Sequence, residues 1–218
     1  MAATPMFPLE SALLPGEELP LRIFEPRYSA LVRDCLAADD RAFGVVLIER
    51  GREVGGGDER ADVGVLARIA EFSEQGEGRY RLRCAISERI RVLEWLPDDP
   101  YPRAIVEPWP DEPGDTVTGG QIVDVEDQLM SVFERIATAR DAQLPPRHEL
   151  LGEPEAGETA GNRLYTLASR IPMGQADRYA VLSAPSAAQR LAAVAEAVET
   201  VAAMVEFQLS APDGSSAD

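Results

Sequence analysis

Lysine is absent from this 218-residue chain, whose 21 basic residues are all arginine. Every reaction that needs a lysine amine is thereby excluded, among them phosphate binding by a P-loop lysine, Schiff-base formation and Ser-Lys hydrolysis. Histidine occurs once, as His148, and cysteine twice, as Cys35 and Cys84. No ligand pair has the spacing of a zinc site, and His148 stands in an acidic stretch without a second histidine or a nearby cysteine. A solvated loop residue is its plainer reading. Both cysteines fall at positions expected to face inward, which suits reduced, buried thiols and predicts no disulfide. No apolar run is long enough to span a bilayer, and the first residues lack a basic region followed by an apolar core. The expectation is a cytoplasmic protein that neither binds nor crosses a membrane.

Catalytic signatures are equally scarce. There is no G-x-S-x-G elbow. Gly55-Gly56-Gly57 is followed by Asp58-Glu59, which would repel a phosphate, so it reads as a flexible hairpin turn within Arg50 to Asp62. The adjacent acids Asp39-Asp40, Asp98-Asp99 and Asp111-Glu112 lie at element ends or beside proline, where carboxylates face solvent. None resembles the unequal carboxylate pair of glycoside chemistry. No enzyme activity, metal or cofactor is therefore expected.

What is present is a 45% hydrophobic chain with a net charge of −17. The charge is uneven, residues 1–110 carrying −6 and residues 111–218 carrying −11. A surface that tracks phosphates needs the opposite sign, so nucleic acid is not an expected partner.

From Phe7 to about Trp109 the dominant period is two, as strands require. Tyr80, Leu82, Cys84 and Ile86 alternate with Arg79, Arg81, Arg83 and Ala85, which puts the three arginines on one face. Val45 to Ile48 is a continuous apolar run, predicting a strand covered on both sides. Val63 to Phe72 and Arg89 to Trp95 complete a largely antiparallel set, closed or nearly closed into a barrel. One helix interrupts it at Pro26 to Ala38, with Tyr28, Leu31, Val32, Cys35 and Leu36 on one stripe and Pro26 in the first turn.

Past the Pro- and Gly-rich Pro108 to Gly120 the period changes to about 3.6. Ile122, Val125, Leu129, Val132 and Ile136 predict one long helix, with Asp124, Glu126 and Asp127 in its first turns. Leu191, Val194, Val198, Val201 and Val205 predict another, opened by a Ser186-x-x-Gln189 capping box. Shorter helices are expected at Asn162 to Arg170 and Gln175 to Leu182, and a long connection at Gln143 to Gly161. The expected fold class is α+β: a β-barrel at 1–110, a linker at 111–120, a helical bundle at 121–209 and a disordered tail at 210–218.

The stretch Arg22-Ile23-Phe24-Glu25-Pro26-Arg27-Tyr28 stands apart, for guanidinium, apolar, carboxylate and aromatic groups alternate as a strand passes into a helix. Read structurally, Arg22 or Arg27 pairs with Glu25 while Ile23, Phe24 and Tyr28 divide between core and barrel mouth. Read functionally, Arg22, Phe24, Glu25, Arg27 and Tyr28 form a recognition rim, since Arg and Tyr are enriched at binding hot spots. The face carrying Arg79, Arg81 and Arg83 is a second candidate, against which a plain solvated strand face must be weighed.

Leu19 to Tyr28 (LPLRIFEPRY) and Phe43 to Glu49 (FGVVLIE) resemble the opening of the Lon protease N-terminal domain. Phe7-Pro8-Leu9, Pro15-Gly16, Val63 to Ile69 and Gly78 to Leu82 continue the likeness. Residues 7–92 carry the more specific match, and Leu164, Ala168, Ile171-Pro172, Leu182 and Arg190-Leu191 a looser one. Ala85 and Ile90 depart from the family pattern, which has a glycine and an aromatic residue in this strand. The resemblance implies a PUA-like β pseudo-barrel with one inserted helix, followed by a helical bundle. It further implies a stand-alone bacterial member without ATPase or protease domains, non-catalytic, recognising unfolded or tagged protein segments in protein quality control. Its partner would be a protease or other protein in trans. The alternative reading is a small-ligand-binding protein or an enzyme that uses the cleft between barrel and helices.

Overall fold

The period-two stretch folds as strands, and a computed structural model, describing residues 3–50, 59–76 and 78–210, shows how they pair. The chain divides into two units, Met1–Asp111 and Glu112–Asp218. Among the described residues the first unit runs β1 (Thr4–Leu9), β2 (Glu18–Ile23), α1 (Pro26–Ala37), β3 (Ala42–Arg50), β4 (Glu59–Glu74), β5 (Tyr80–Leu96) and β6 (Arg103–Pro108). The sheet order is β2-β5-β4-β3-β1-β6, and β6 returns to pair with β5. Five strands thus close a ring from which β2 projects, held by β5 alone among the described residues. Only β1 and β3 run parallel. A parallel pair needs a crossover, and β2 with α1 supplies it.

Closure buries Met6, Val46, Ile90, Val92 and Ala104 in one cluster, against which Leu66, Trp95 and Val106 pack. Burying each large apolar side chain contributes about 1.5–3 kcal/mol. There is no slack in this cluster: a Cβ at Gly44 would run into the Met6 thioether, and one at Gly64 into the Val45 carbonyl oxygen. The stripe of α1 covers the strands elsewhere, burying Tyr28, Leu31, Val32 and Cys35. Phe7 meets Tyr28 at 4.2 Å and Phe43 at 6.0 Å between ring centroids.

Two strand expectations need correction. Tyr80 to Ile86 and Arg89 to Trp95 belong to one continuous β5 of 17 residues. The strand shifts register against β4 between Val65 and Ala67, where the Ser87 hydroxyl donates to Leu66 O at 3.0 Å, so the chain bends there without breaking. The hairpin loop is also shorter than Arg50 to Asp62, because Ile48 pairs with Arg60 and Arg50 with Glu59. Gly55-Gly56-Gly57 lies outside the described residues.

Cys35 and Cys84 are buried and free. Burial, helped by the Asp34 carboxylate and the neighbouring Cys84, pushes the Cys35 thiol up to about 12, and burial does the same to Cys84. Such thiols are unreactive at neutral pH. Near the end of the unit Arg89 donates to Trp109 O at 2.9 Å and to Asp111 at 3.2 Å. Its guanidinium lies 4.0 Å from the Trp109 ring centroid and that of Arg91 lies 3.9 Å from it.

Among the described residues the second unit runs α2 (Gly119–Ala139), α3 (Arg147–Leu151), α4 (Ala160–Ala168), α5 (Gln175–Ser183) and α6 (Ala187–Ser210). Its core holds Val125, Leu129 and Val132 from α2 with Val194, Ala197, Val198 and Val201 from α6. Glu112 donates its N–H to Pro185 O at 2.9 Å, so packing in this unit begins within the stretch expected as a linker. Ser186 caps α6, accepting from Gln189 N at 3.3 Å. At the far end Ser210 is still helical, and residues 211–218 lie outside the described ones.

The acids expected at the head of α2 are not there. Thr118 and Gln121 form a capping box, the helix opens at Gly119, and its first turn holds no acid. Glu126 instead accepts from Arg163 Nη2 at 2.6 Å and from Arg147 Nη2 at 2.9 Å. Burial pushes the Glu126 carboxyl up, but the hydrogen bonds and charges of Arg163 and Arg147 outweigh it and leave the group below its ordinary 4.5. Arg163 spends its remaining donors on Leu151 O at 3.3 Å and Gly152 O at 3.0 Å. His148, expected in a loop, lies on the short α3.

Candidate binding surface

Strand β2 carries the first candidate stretch into the fold, and the structure divides its five residues. Glu25 ends up as the N-cap of α1, although its side chain makes no capping bond. It accepts instead from Arg27 Nε at 3.0 Å, both side chains being about four-fifths buried (20% and 21% exposed). The Arg27 guanidinium rests 4.4 Å from the centroid of Tyr28, and Tyr28 is itself buried at 5% exposure. Ser29 donates to Gly78 O at 2.5 Å, which ties the start of α1 to the turn before β5. Gly78 holds φ at +71°, a conformation that glycine adopts at no steric cost. Glu25, Arg27 and Tyr28 are therefore engaged with one another. Phe24 is 65% exposed, and Arg22 is exposed as well.

The ladder between β2 and β5 brings in the second candidate. Arg22 stands directly opposite Arg81, and Pro20 opposite Arg83. On the other side of β5, Ser73 faces Arg81 and Glu71 faces Arg83. Since side chains alternate along a strand, Arg22, Arg81 and Ser73 form one row of the outward face and Pro20, Arg83 and Glu71 the next. Residues 59 positions apart in the chain thus become neighbours.

The hydrogen-bonding phase sharpens the geometry. Ile86 N–H donates to Glu17 O at 2.9 Å. Alternation from there turns the main-chain groups of Leu19, Leu21 and Ile23 toward β5, and those of Glu18, Pro20 and Arg22 outward. Arg22 and Arg81 consequently form a non-hydrogen-bonded pair, in which facing side chains come closest, with Cβ atoms about 4.5–5.5 Å apart. Proline has no N–H, so Pro20 blunts the outward edge of β2 as a template for another strand. The side-chain face remains open to a partner.

That face is an open trough of about 600 Å³ lined by Pro20, Leu21, Arg22, Glu71, Phe72, Ser73, Arg81, Leu82 and Arg83. Phe72 is 47% exposed. Arg83 reaches Glu71 at 3.7 Å, and among the described residues no other acid lines the trough. Neither Arg22 nor Arg81 has an acidic partner among the described residues. Leu21, Leu82 and Phe72 fall between the two rows and turn their side chains to the opposite face of the sheet, so what the trough offers is two guanidinium groups with no acidic partner among the described residues. Among the described residues no three His, Cys, Asp or Glu side chains gather as a metal site would require.

Sequence reasoning found Arg22 and Arg81 separately, but missed Ser73, Phe72, Leu21 and Leu82. The alternation of β5 was the available signal for the arginine face. Nothing in the sequence supplied the register that sets Arg22 against it.

A pseudo-barrel with an inserted helix and a helical second unit is the architecture of the Lon N-terminal type. The chain belongs to the ATP-dependent protease La (LON) substrate-binding domain family, whose model matches residues 3–200. It is 33% identical over 108 residues to the Lon protease of Anaeromyxobacter dehalogenans and 33% identical over 124 residues to Lon protease 2 of Myxococcus xanthus. Those matches cover 49% and 56% of this chain but only 13% and 14% of the two proteases. In three dimensions it is similar to a Lon N-terminal domain protein from Xanthomonas campestris, with a TM-score of 0.60 and 27% identity over 88% of this chain and 96% of that one. The N-terminal domain of the Mycobacterium avium complex Lon protease shares the fold at a TM-score of 0.51 and 15% identity, covering 94% of this chain and 98% of that one. The Lon substrate-binding domain is a non-catalytic module, and protein substrates are what such a domain binds. No helix among the described residues is long and apolar enough to cross a membrane.

Proposed function

We propose that this protein is a non-catalytic, cytoplasmic module that holds unfolded or tagged polypeptide segments, and that the trough on the β2–β5–β4 face is where it holds them. The family supports protein binding. The observation that supports the location is the open trough itself, where exposed Arg22 and Arg81 stand opposite each other without an acidic partner among the described residues. An extended segment needs such an open strip. A small molecule needs an enclosed pocket that buries most of its surface and converging polar groups, so the open form of the trough speaks against a small ligand there. In this proposal a separate protease or other partner acts on the captured segment in the course of protein quality control.

Fluorescence anisotropy with a labelled, permanently unfolded polypeptide tests the reading. Saturable binding that weakens on the double change Arg22→Ala with Arg81→Ala, with a melting temperature that does not fall, is the expected result. Binding that ignores every substitution in the trough would place the site elsewhere, and turnover of a defined compound by the purified protein would end the non-catalytic reading.

A further inference from the structure

We infer that the trough selects segments bearing carboxylates, and that Arg22 and Arg81 are the pair that reads the carboxylate. The inference rests on the protein-binding reading above and adds the chemistry of the segment bound. Like charges directly opposite each other across a strand pair are destabilising. Here two guanidinium groups occupy facing positions with no acid of the described residues to neutralise them. This happens in a chain of net charge −17, which has acids to spare for every arginine. A pair kept against that cost marks a site whose counter-charge comes from outside.

The rest of the row fits a carboxylate. Arginine offers a planar fork of donors that matches both carboxylate oxygens, and two forks side by side hold one group or bridge two adjacent acids. Ser73 adds a hydroxyl in the same row, opposite Arg81. In the next row Arg83 is already engaged by Glu71 at 3.7 Å, an internal example of the contact the site makes. With Pro20 removing a donor from the strand edge, specificity falls to these side chains. A nucleic acid would also supply anions, but a polyanion must approach the whole acidic surface and an acidic peptide only two arginines.

The test uses the full chain and short fluorescein-labelled peptides that share one Ala-Leu-Phe framework and carry Glu, Gln or Lys at the same positions, with a single-stranded RNA oligonucleotide as a further arm. The Glu peptide is expected to bind tightest and the Lys peptide weakest, with the Glu affinity falling as salt rises. Arg22→Gln and Arg81→Gln should each weaken the Glu peptide about tenfold, the loss of one charge-assisted contact, and leave the Gln peptide unchanged. The double change Arg22→Glu with Arg81→Glu should reverse the preference toward the Lys peptide, a gain that a misfolded variant could not show. Equal binding of Glu and Gln peptides would overturn the carboxylate assignment while leaving peptide binding in place, whereas failure of all peptides to bind would remove both. RNA held more tightly than the Glu peptide, and released by the same substitutions, would replace the acidic segment with a nucleic acid.

Discussion

In the helical unit Arg163 is buried at 5% exposure and every one of its guanidinium nitrogens has an acceptor on Glu126, Leu151 or Gly152. On the strand face of the first unit Arg22 and Arg81 are exposed, set opposite each other, and lack an acidic partner among the described residues. The same side chain thus serves two ends. Where donors are matched one by one to internal acceptors, arginine stabilises the fold. Where they are left in solvent against a like charge, it costs the fold a little and is available to a ligand. Arg27 shows the first condition within the very stretch that Arg22 shares, since Glu25 and the Tyr28 ring already occupy it.

Substitutions can break this contrast at either pole. Arg163→Ala should have the largest effect. It removes four bonds at once and leaves Glu126 buried with Arg147 alone, toward the lower end of the about 3–5 kcal/mol typical of a broken buried pair. Urea unfolding of the variant, followed by helical circular dichroism, measures the loss. A shift as small as that of a surface arginine would show the cluster to be dispensable. Arg89→Met keeps the apolar stem but forfeits the donors to Trp109 O and Asp111, and should cost about 2 kcal/mol by the same assay, or by Trp fluorescence.

The acid limb sharpens the contrast further. The folded carboxyl of Glu126 titrates below its ordinary value of 4.5. Its contribution is therefore fully present above 4.5 and is lost as pH falls through the lowered folded value. The denaturation midpoint of the wild type should drop more steeply below that pH than that of Glu126→Gln. Parallel curves for the two proteins would assign acid sensitivity to other groups. The smallest effect is expected at the strand face. Arg81→Ala relieves the like-charge pair, so the melting temperature should hold or rise by a few tenths of a kcal/mol equivalent, within the about 0.2–1 kcal/mol span of cross-strand pairs. A marked fall would mean that Arg81 supports the barrel and would move it to the structural class.

How much of this could be read in advance varies with the range of the interaction. The alternation in Tyr80 to Ile86, the stripe of α1 and the Ser186-Gln189 cap are local patterns, and the structure carries each of them. The Thr118-Gln121 cap was just as local and went unread, which displaced the expected first turn of α2 and with it the role of Glu126. The single long β5 could not be read, because it is the pairing with β4 on both sides of the bend, with β2 before it and β6 after it, that keeps the chain extended past Ser87.

By itself the sequence determined which residues are apolar and at what period, and hence a strand-rich half followed by a helical one. It also determined the family and the absence of lysine chemistry. Only the tertiary structure decided which arginines are engaged and which are not. Charge pairing depends on strand register and on contacts between distant segments, as with Arg22 against Arg81 and Arg163 against Glu126. Neither quantity is encoded in the spacing of residues along one element, because it arises when elements dock.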